Sequence, residues 1–187
     1  MLRTTALFAA SLALGLLGAA CGGRDEAAGR ASPATEPGPP LVEGLERETR
    51  ELDRRALAAD ALEPGRLSDL LDDAGFRVGL EDEYSGRTEL YDHVVSRRLE
   101  FSNADGAVRY VEWLRSNAAD LLGTAKRAAS FDVGANGFLT RDAGCGCHSD
   151  LPTFLAAWRD GADVRTLLAD GPGVDRARFV ALAHQLG

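Results

Sequence analysis

The chain has 187 residues, with 29 acidic side chains against 21 basic ones and a formal net charge of −8. That length suits one ordinary domain and its core. The acidic balance repels phosphate backbones and anionic headgroups, which argues against nucleic acid as a partner. Residues 1–20, MLRTTALFAASLALGLLGAA, have the three parts of an export signal: Arg3 as a positive start, an apolar run from Ala6 to Leu17, and small residues at Gly18, Ala19 and Ala20. The apolar run is too short for a confident membrane span. Losing it removes Arg3 and leaves the chain one charge more negative.

Cys21 follows at once. LGAAC with Gly22 and Gly23 behind it resembles the lipobox of bacterial lipoproteins, with Gly18 standing where leucine is most common. The resemblance implies that Cys21 is alkylated with diacylglycerol, that the signal is cut before it, and that the new N-terminus is acylated, with palmitate-type chains. A plain secretory signal ending at Ala20 is the alternative. One acyl chain, at about 0.8 kcal/mol per buried methylene, binds only reversibly. Several on one cysteine hold a protein on the membrane, here on the extracytoplasmic side of the cell membrane. Residues 21–40 are rich in Pro, Gly and Ala and lack large apolar side chains. They read as a disordered tether with a coil reach of about 20–25 Å.

The folded domain is expected over 41–187. LVEGLERETRELDRRALAADAL reads as a helix, with Leu41, Leu45, Leu52, Ala56 and Ala59 near one face, ended by Pro64-Gly65. RLSDLLDDAGF reads as a short helix stopped by Gly75. From Arg87 to Phe101 the period falls to two, placing Tyr91, His93, Val95, Leu99 and Phe101 on one strand face interrupted by Arg97. SNADGAVRYVEWLRSNAADLLG is the clearest helix, with a capping-box-like start at Ser102 and Asp105 and a stripe through Val108, Val111, Leu114, Ala118, Leu121 and Leu122. AASFDVGANGFLT predicts one or two short strands. LPTFLAAWRDGADVRTLLADG predicts a hairpin turning at Asp160-Gly161. Asp175 caps a last helix whose inward residues are Phe179, Leu182, Ala183 and Leu186. The sum is an α+β domain: a mostly antiparallel sheet with helices packed on one face.

FSNADGAVRYVEWL and AAWRDGADVRTLLADGPG, in this order of elements, are similar to uncharacterised extracytoplasmic lipoproteins of high-GC Gram-positive bacteria. The likeness transfers no functional residue. No G-x-S-x-G, S-x-x-K, H-E-x-x-H, P-loop or EF-hand pattern occurs. The acidic clusters DLLDDAG and LEDEYSG read as solvated helix ends, and Gly171 and Gly173 as a tight turn rather than a phosphate cradle. Trp113 and Trp158 read as core or interface residues, His93 as a core or half-buried histidine, and His184 as exposed.

The remaining chemistry lies in DAGCGCHSD, where Cys145 and Cys147 flank one glycine and His148 follows. Outside a reducing cytoplasm the two thiols form a candidate redox pair. A disulfide there needs a turn to bring the Cβ atoms to about 3.8 Å. Such a ring is strained and oxidising, and it closes too little chain to act as a staple. Alternatively, Cys145, Cys147 and His148 offer soft ligands to zinc or copper, with His93, His184, Asp142 or Asp150 as a fourth. A locally structural loop is the third account, and haem attachment is excluded because it needs two residues between the cysteines. The sequence therefore predicts a membrane-anchored envelope lipoprotein with a non-enzymatic binding, sensor or accessory role toward an envelope protein or small ligand. A thiol-based metal-binding or disulfide-exchange protein is the alternative.

Overall fold

A computed structural model of the chain describes residues 41–59, 61, 63–122, 128–142 and 151–186. The expected signal, Cys21 and the tether lie outside those residues, as does the segment carrying Cys145, Cys147 and His148. The described elements are β1 (Glu46–Leu52), α1 (Arg54–Ala59), α2 (Pro64–Asp73), β2 (Phe76–Ser85), β3 (His93–Phe101), α3 (Ala104–Leu122), β4 (Ala129–Ser130), β5 (Ala135–Asp142), β6 (Thr153–Asp160), β7 (Asp163–Asp170) and α4 (Arg176–Leu186). The fold is α+β. One sheet runs in the order β1-β2-β3-β7-β6-β5-β4, and every pairing in it is antiparallel.

Both faces of the sheet are covered, because alternate residues of its central strands are apolar in both directions. Leu99, Phe101, Phe138, Leu155, Ala157 and Val164 point to one face and meet Leu57, Leu67, Leu71, Tyr110, Val111, Leu114 and Ala118 of α1, α2 and α3. Tyr84, Val94, Phe154, Ala156, Trp158, Leu167 and Ala169 point to the other and meet Phe179, Leu182 and Ala183 of α4, with Val42, Leu45, Phe131 and Val133. The expected one-sided helix layer thus holds for α1 to α3, while α4 adds a second layer opposite. Burying each large apolar side chain of this kind contributes about 1.5–3 kcal/mol.

Several predicted elements stand where the sequence places them. Asn103, rather than Ser102, caps α3: its Oδ1 accepts the Gly106 N–H at 2.9 Å. Asp175 caps α4 by accepting the Arg178 N–H at 2.9 Å. The β6–β7 hairpin turns with Asp160 opposite Asp163 and Gly161 at φ +61, a left-handed conformation that glycine adopts without cost.

Two expectations are overturned. The expected helix over 41–62 is not one helix: 46–52 are strand β1, and among the described residues of that stretch only 54–59 are helical. The Leu/Glu/Arg composition favours a helix by a few tenths of a kcal/mol per residue. Pairing with β2 supplies a backbone ladder and cross-strand ion pairs, and that wins. Pro64 accordingly begins α2, where its missing N–H goes unneeded. LEDEYSG is likewise no helix end but the second half of β2.

Candidate functional site

The three acidic side chains of β2 each take a basic partner from a neighbouring strand. Arg47 on β1 grips Asp82 with two guanidinium nitrogens, at 2.9 and 3.0 Å. Arg50 donates to Glu81 at 2.5 Å, and Arg97 on β3 donates to its other oxygen. Glu81 is only 1% exposed. Burial alone would raise its carboxyl, but the hydrogen bonds and charges of Arg50 and Arg97 outweigh that and hold it below the ordinary 4.5. Beside this network Tyr110 is wholly enclosed; burial pushes its phenol up to about 12, against the pull of Arg97. Asp82 and Glu81 are neighbours on β2 and so point to opposite faces of the sheet, and these ion pairs tie β1, β2 and β3 together on both.

Two rows further along the face of Glu81 and Arg97 lies His93. In register across five strands stand Asp142, Thr153, Asp170, His93 and Ser85. Both nitrogens of the His93 ring meet carboxylates, Nε2 facing Glu83 at 3.1 Å and Nδ1 facing Asp170 at 3.5 Å. The Asp170 hydrogen bond raises its pKa, burial opposes, and Glu83 adds to the rise, so the imidazole titrates above its ordinary 6.5. The half-buried histidine expected from the sequence therefore lies between two carboxylates that favour its protonated form.

Of the four proposed fourth ligands, Asp150 lies outside the described residues. Asp142 is buried at the end of β5, three strand spacings from His93 in the row, or about 14 Å. His184 is exposed on α4, against the opposite face, beside a cavity of about 500 Å³ that Asp132, Trp158 and Arg165 also line. Among the described residues no three His, Cys, Asp or Glu side chains converge on a metal position. Trp158 is a buried core residue, edge-on to Phe131, whereas Trp113 is half-buried at the margin of the core and stacks on Tyr110 with centroids 6.2 Å apart.

The sequence did not point to a groove on the α4 side. Thr88 shapes the connection from β2 to β3: its hydroxyl donates to the Tyr91 carbonyl at 2.8 Å and accepts the Leu90 and Tyr91 N–H groups. Gly171 and Gly173 let the β7–α4 turn lie directly against that connection. A Cβ on Gly171 would stand 2.4 Å from the Leu90 carbonyl oxygen, and one on Gly173 2.7 Å from that of Glu89. These glycines form the tight turn expected of them. The N-terminal segment is fastened alongside by the Leu41 N–H, which donates to the Tyr84 hydroxyl at 3.2 Å.

Between these pieces and α4 opens a groove of about 490 Å³, with Leu41, Val42, Leu90, Tyr91 and Leu182 in its lining and Glu43, Glu89, Arg178 and Gln185 as polar members. Leu90 is 37% exposed and forms an apolar lip. Burial raises the Tyr91 phenol, Arg178 pulling it back and Asp175 adding, so the groove presents a neutral hydroxyl. Its chemistry suits an apolar group with one polar end: carbon surface below, a hydroxyl and a guanidinium at the side. No helix of the described residues is long and apolar enough to cross a membrane.

No protein-family model matches the chain, and no curated protein sequence matches it significantly. Among solved structures it is similar to the extracellular domain of PknH from Mycobacterium tuberculosis, at 13% identity and a TM-score of 0.45, over 74% of this chain and 77% of that one.

Proposed function

We propose that the protein is an envelope lipoprotein, anchored through lipid on Cys21, whose domain works on the extracytoplasmic side by binding, as a sensor or accessory module. The observation that carries the binding role is the groove beside α4, of about 490 Å³, lined by Leu41, Val42, Leu90, Tyr91 and Leu182 and bounded by two tied backbone segments. A site of this form selects by shape and one or two polar contacts.

Anilinonaphthalene sulfonate, an apolar ring system with one anionic end, is a suitable probe. Its fluorescence should rise with the full chain and fall back toward the free dye with Leu90→Asp, an exposed position whose change leaves the core intact. Equal enhancement by both proteins would remove the groove from consideration. The anchor is tested separately: Cys21→Ser should move the protein from the membrane fraction to the soluble one, and retention would refute lipidation.

A second reading assigns thiol chemistry, zinc or copper capture or disulfide exchange, to Cys145, Cys147 and His148. One feature favours it: the polar row on the sheet ends at the buried Asp142, which leads directly into that stretch of chain. Thiols counted with and without reductant, together with metal content on the same sample, decide the matter. Two free thiols and no metal would end this reading.

A further inference from the structure

β1 is the outermost strand of the sheet, seven residues long, and among the described residues no strand pairs with its outer edge. Such an edge offers a row of free backbone donors and acceptors to any extended chain. Its sequence, Glu46-Arg47-Glu48-Thr49-Arg50-Glu51, is almost entirely charged and exposed. Charge at an edge ordinarily prevents indiscriminate pairing. Here the order of the charges matters as well.

Two copies of an antiparallel edge strand can pair about a two-fold axis only with a residue on the axis, because residues directly opposite must share a face. With Arg47 on the axis, arginine meets arginine and Glu46 meets Glu48. With Glu48 there, glutamate meets glutamate. With Arg50 or Glu51 there, like charges again meet on the axis. With Thr49 on the axis, every charged residue from Arg47 to Glu51 meets its opposite: Arg47 faces Glu51 of the second copy, and Glu48 faces Arg50. The strand is a charge palindrome about Thr49, and one register alone is complementary.

The monomer leaves the glutamates of this pattern unsatisfied. Arg47 and Arg50 are held by Asp82 and Glu81, whereas among the described residues Glu48 and Glu51 make no ion pair. Glu48 in fact stands opposite Glu83 in its own sheet, and Glu51 opposite Leu80, which is 46% exposed. A second copy in the Thr49 register brings an arginine to each of these glutamates. We propose that β1 is a homodimerisation edge, two copies of this chain joining their sheets antiparallel about Thr49.

The test uses the full lipidated chain in detergent, with the wild type as the control for its native cysteines. In this register the two Thr49 Cα atoms fall within the separation a disulfide spans. Thr49→Cys should therefore give a disulfide-linked dimer on mild oxidation. Arg47→Cys and Glu51→Cys should do so only when the two variants are mixed. No cross-linking of Thr49→Cys above wild type would overturn the pairing, and efficient cross-linking of Glu51→Cys with itself would overturn the register. By sedimentation, Glu48→Arg should weaken the dimer at least tenfold, since it sets arginine against Arg50 of the second copy. The same change should not lower the monomer's melting temperature, because it relieves the contact with Glu83. An unchanged dimer would refute the proposal.

Discussion

The two halves of the sheet solve the same problem in opposite ways. At β6, Phe154, Leu155, Ala156, Ala157 and Trp158 are consecutive buried residues, apolar on both faces and enclosed by helix or loop. At β1 and β2 the side chains are mostly charged, and cohesion comes from ion pairs strung across the strands. One half is held by removing carbon surface from water, which is insensitive to pH. The other is held by matching charges, which is sensitive to pH and salt. A single backbone ladder serves both.

The contrast can be broken most forcefully at Trp158. Trp158→Ala should cost about 3–5 kcal/mol of unfolding free energy, because the side chain is 1% exposed and its removal leaves a large cavity. Chemical denaturation would read this, and a loss under about 1 kcal/mol would mean the apolar half is not the stronger one. In the charged half the largest effect is expected at Glu81. Glu81→Gln should cost about 1.5–3 kcal/mol, toward the lower end because Arg50 is half exposed and screened. The wild type should also lose this contribution as pH falls through the Glu81 folded value, below 4.5, since a lowered carboxylate pKa stabilises only above it.

His93 acts in the reverse direction and more weakly, its ring being 34% exposed. A raised histidine pKa gives stability that is complete below 6.5 and disappears as pH rises through the folded value. Melting temperatures of wild type and His93→Gln should therefore converge as the solution becomes alkaline, and a gap that widens instead would contradict the assignment. The smallest effect belongs to the seam between the halves, where Arg98 on β3 reaches Asp163 on β7 at 2.7 Å on the exposed surface. Asp163→Ala should cost less than about 1 kcal/mol, and less again in high salt.

The same division explains what the sequence discloses. The β6–β7 hairpin, α3 and α4 are legible because their apolar spacing and caps agree with their structure. β1 and the second half of β2 are not. In ERETREL and LEDEYSG the period-two signal is carried by charge rather than by apolarity, and glutamate, arginine and leucine all favour helix locally. Only the partner strand reveals that Asp82 belongs to Arg47 and Glu81 to both Arg50 and Arg97. The groove was hidden for a similar reason. Leu41, Leu90 and Leu182 are far apart along the chain, and no motif marks a site assembled from the N-terminal segment, the β2–β3 connection and α4.

The sheet order also carries a consequence for the sequence of folding events. β1-β2-β3 and β4-β5-β6-β7 are each built from neighbours in the chain, but the two sets meet only where β3 pairs with β7. Residues joined across that boundary, such as Arg98 and Asp163, are 65 positions apart. A growing chain thus completes its first three strands long before the strand that will lie beside them exists, and β3 must wait with an open side. Joining β3 to β7 carries a loop-closure cost that the local hairpins do not meet. Mutations at that boundary should slow folding more than equally destabilising ones within either meander.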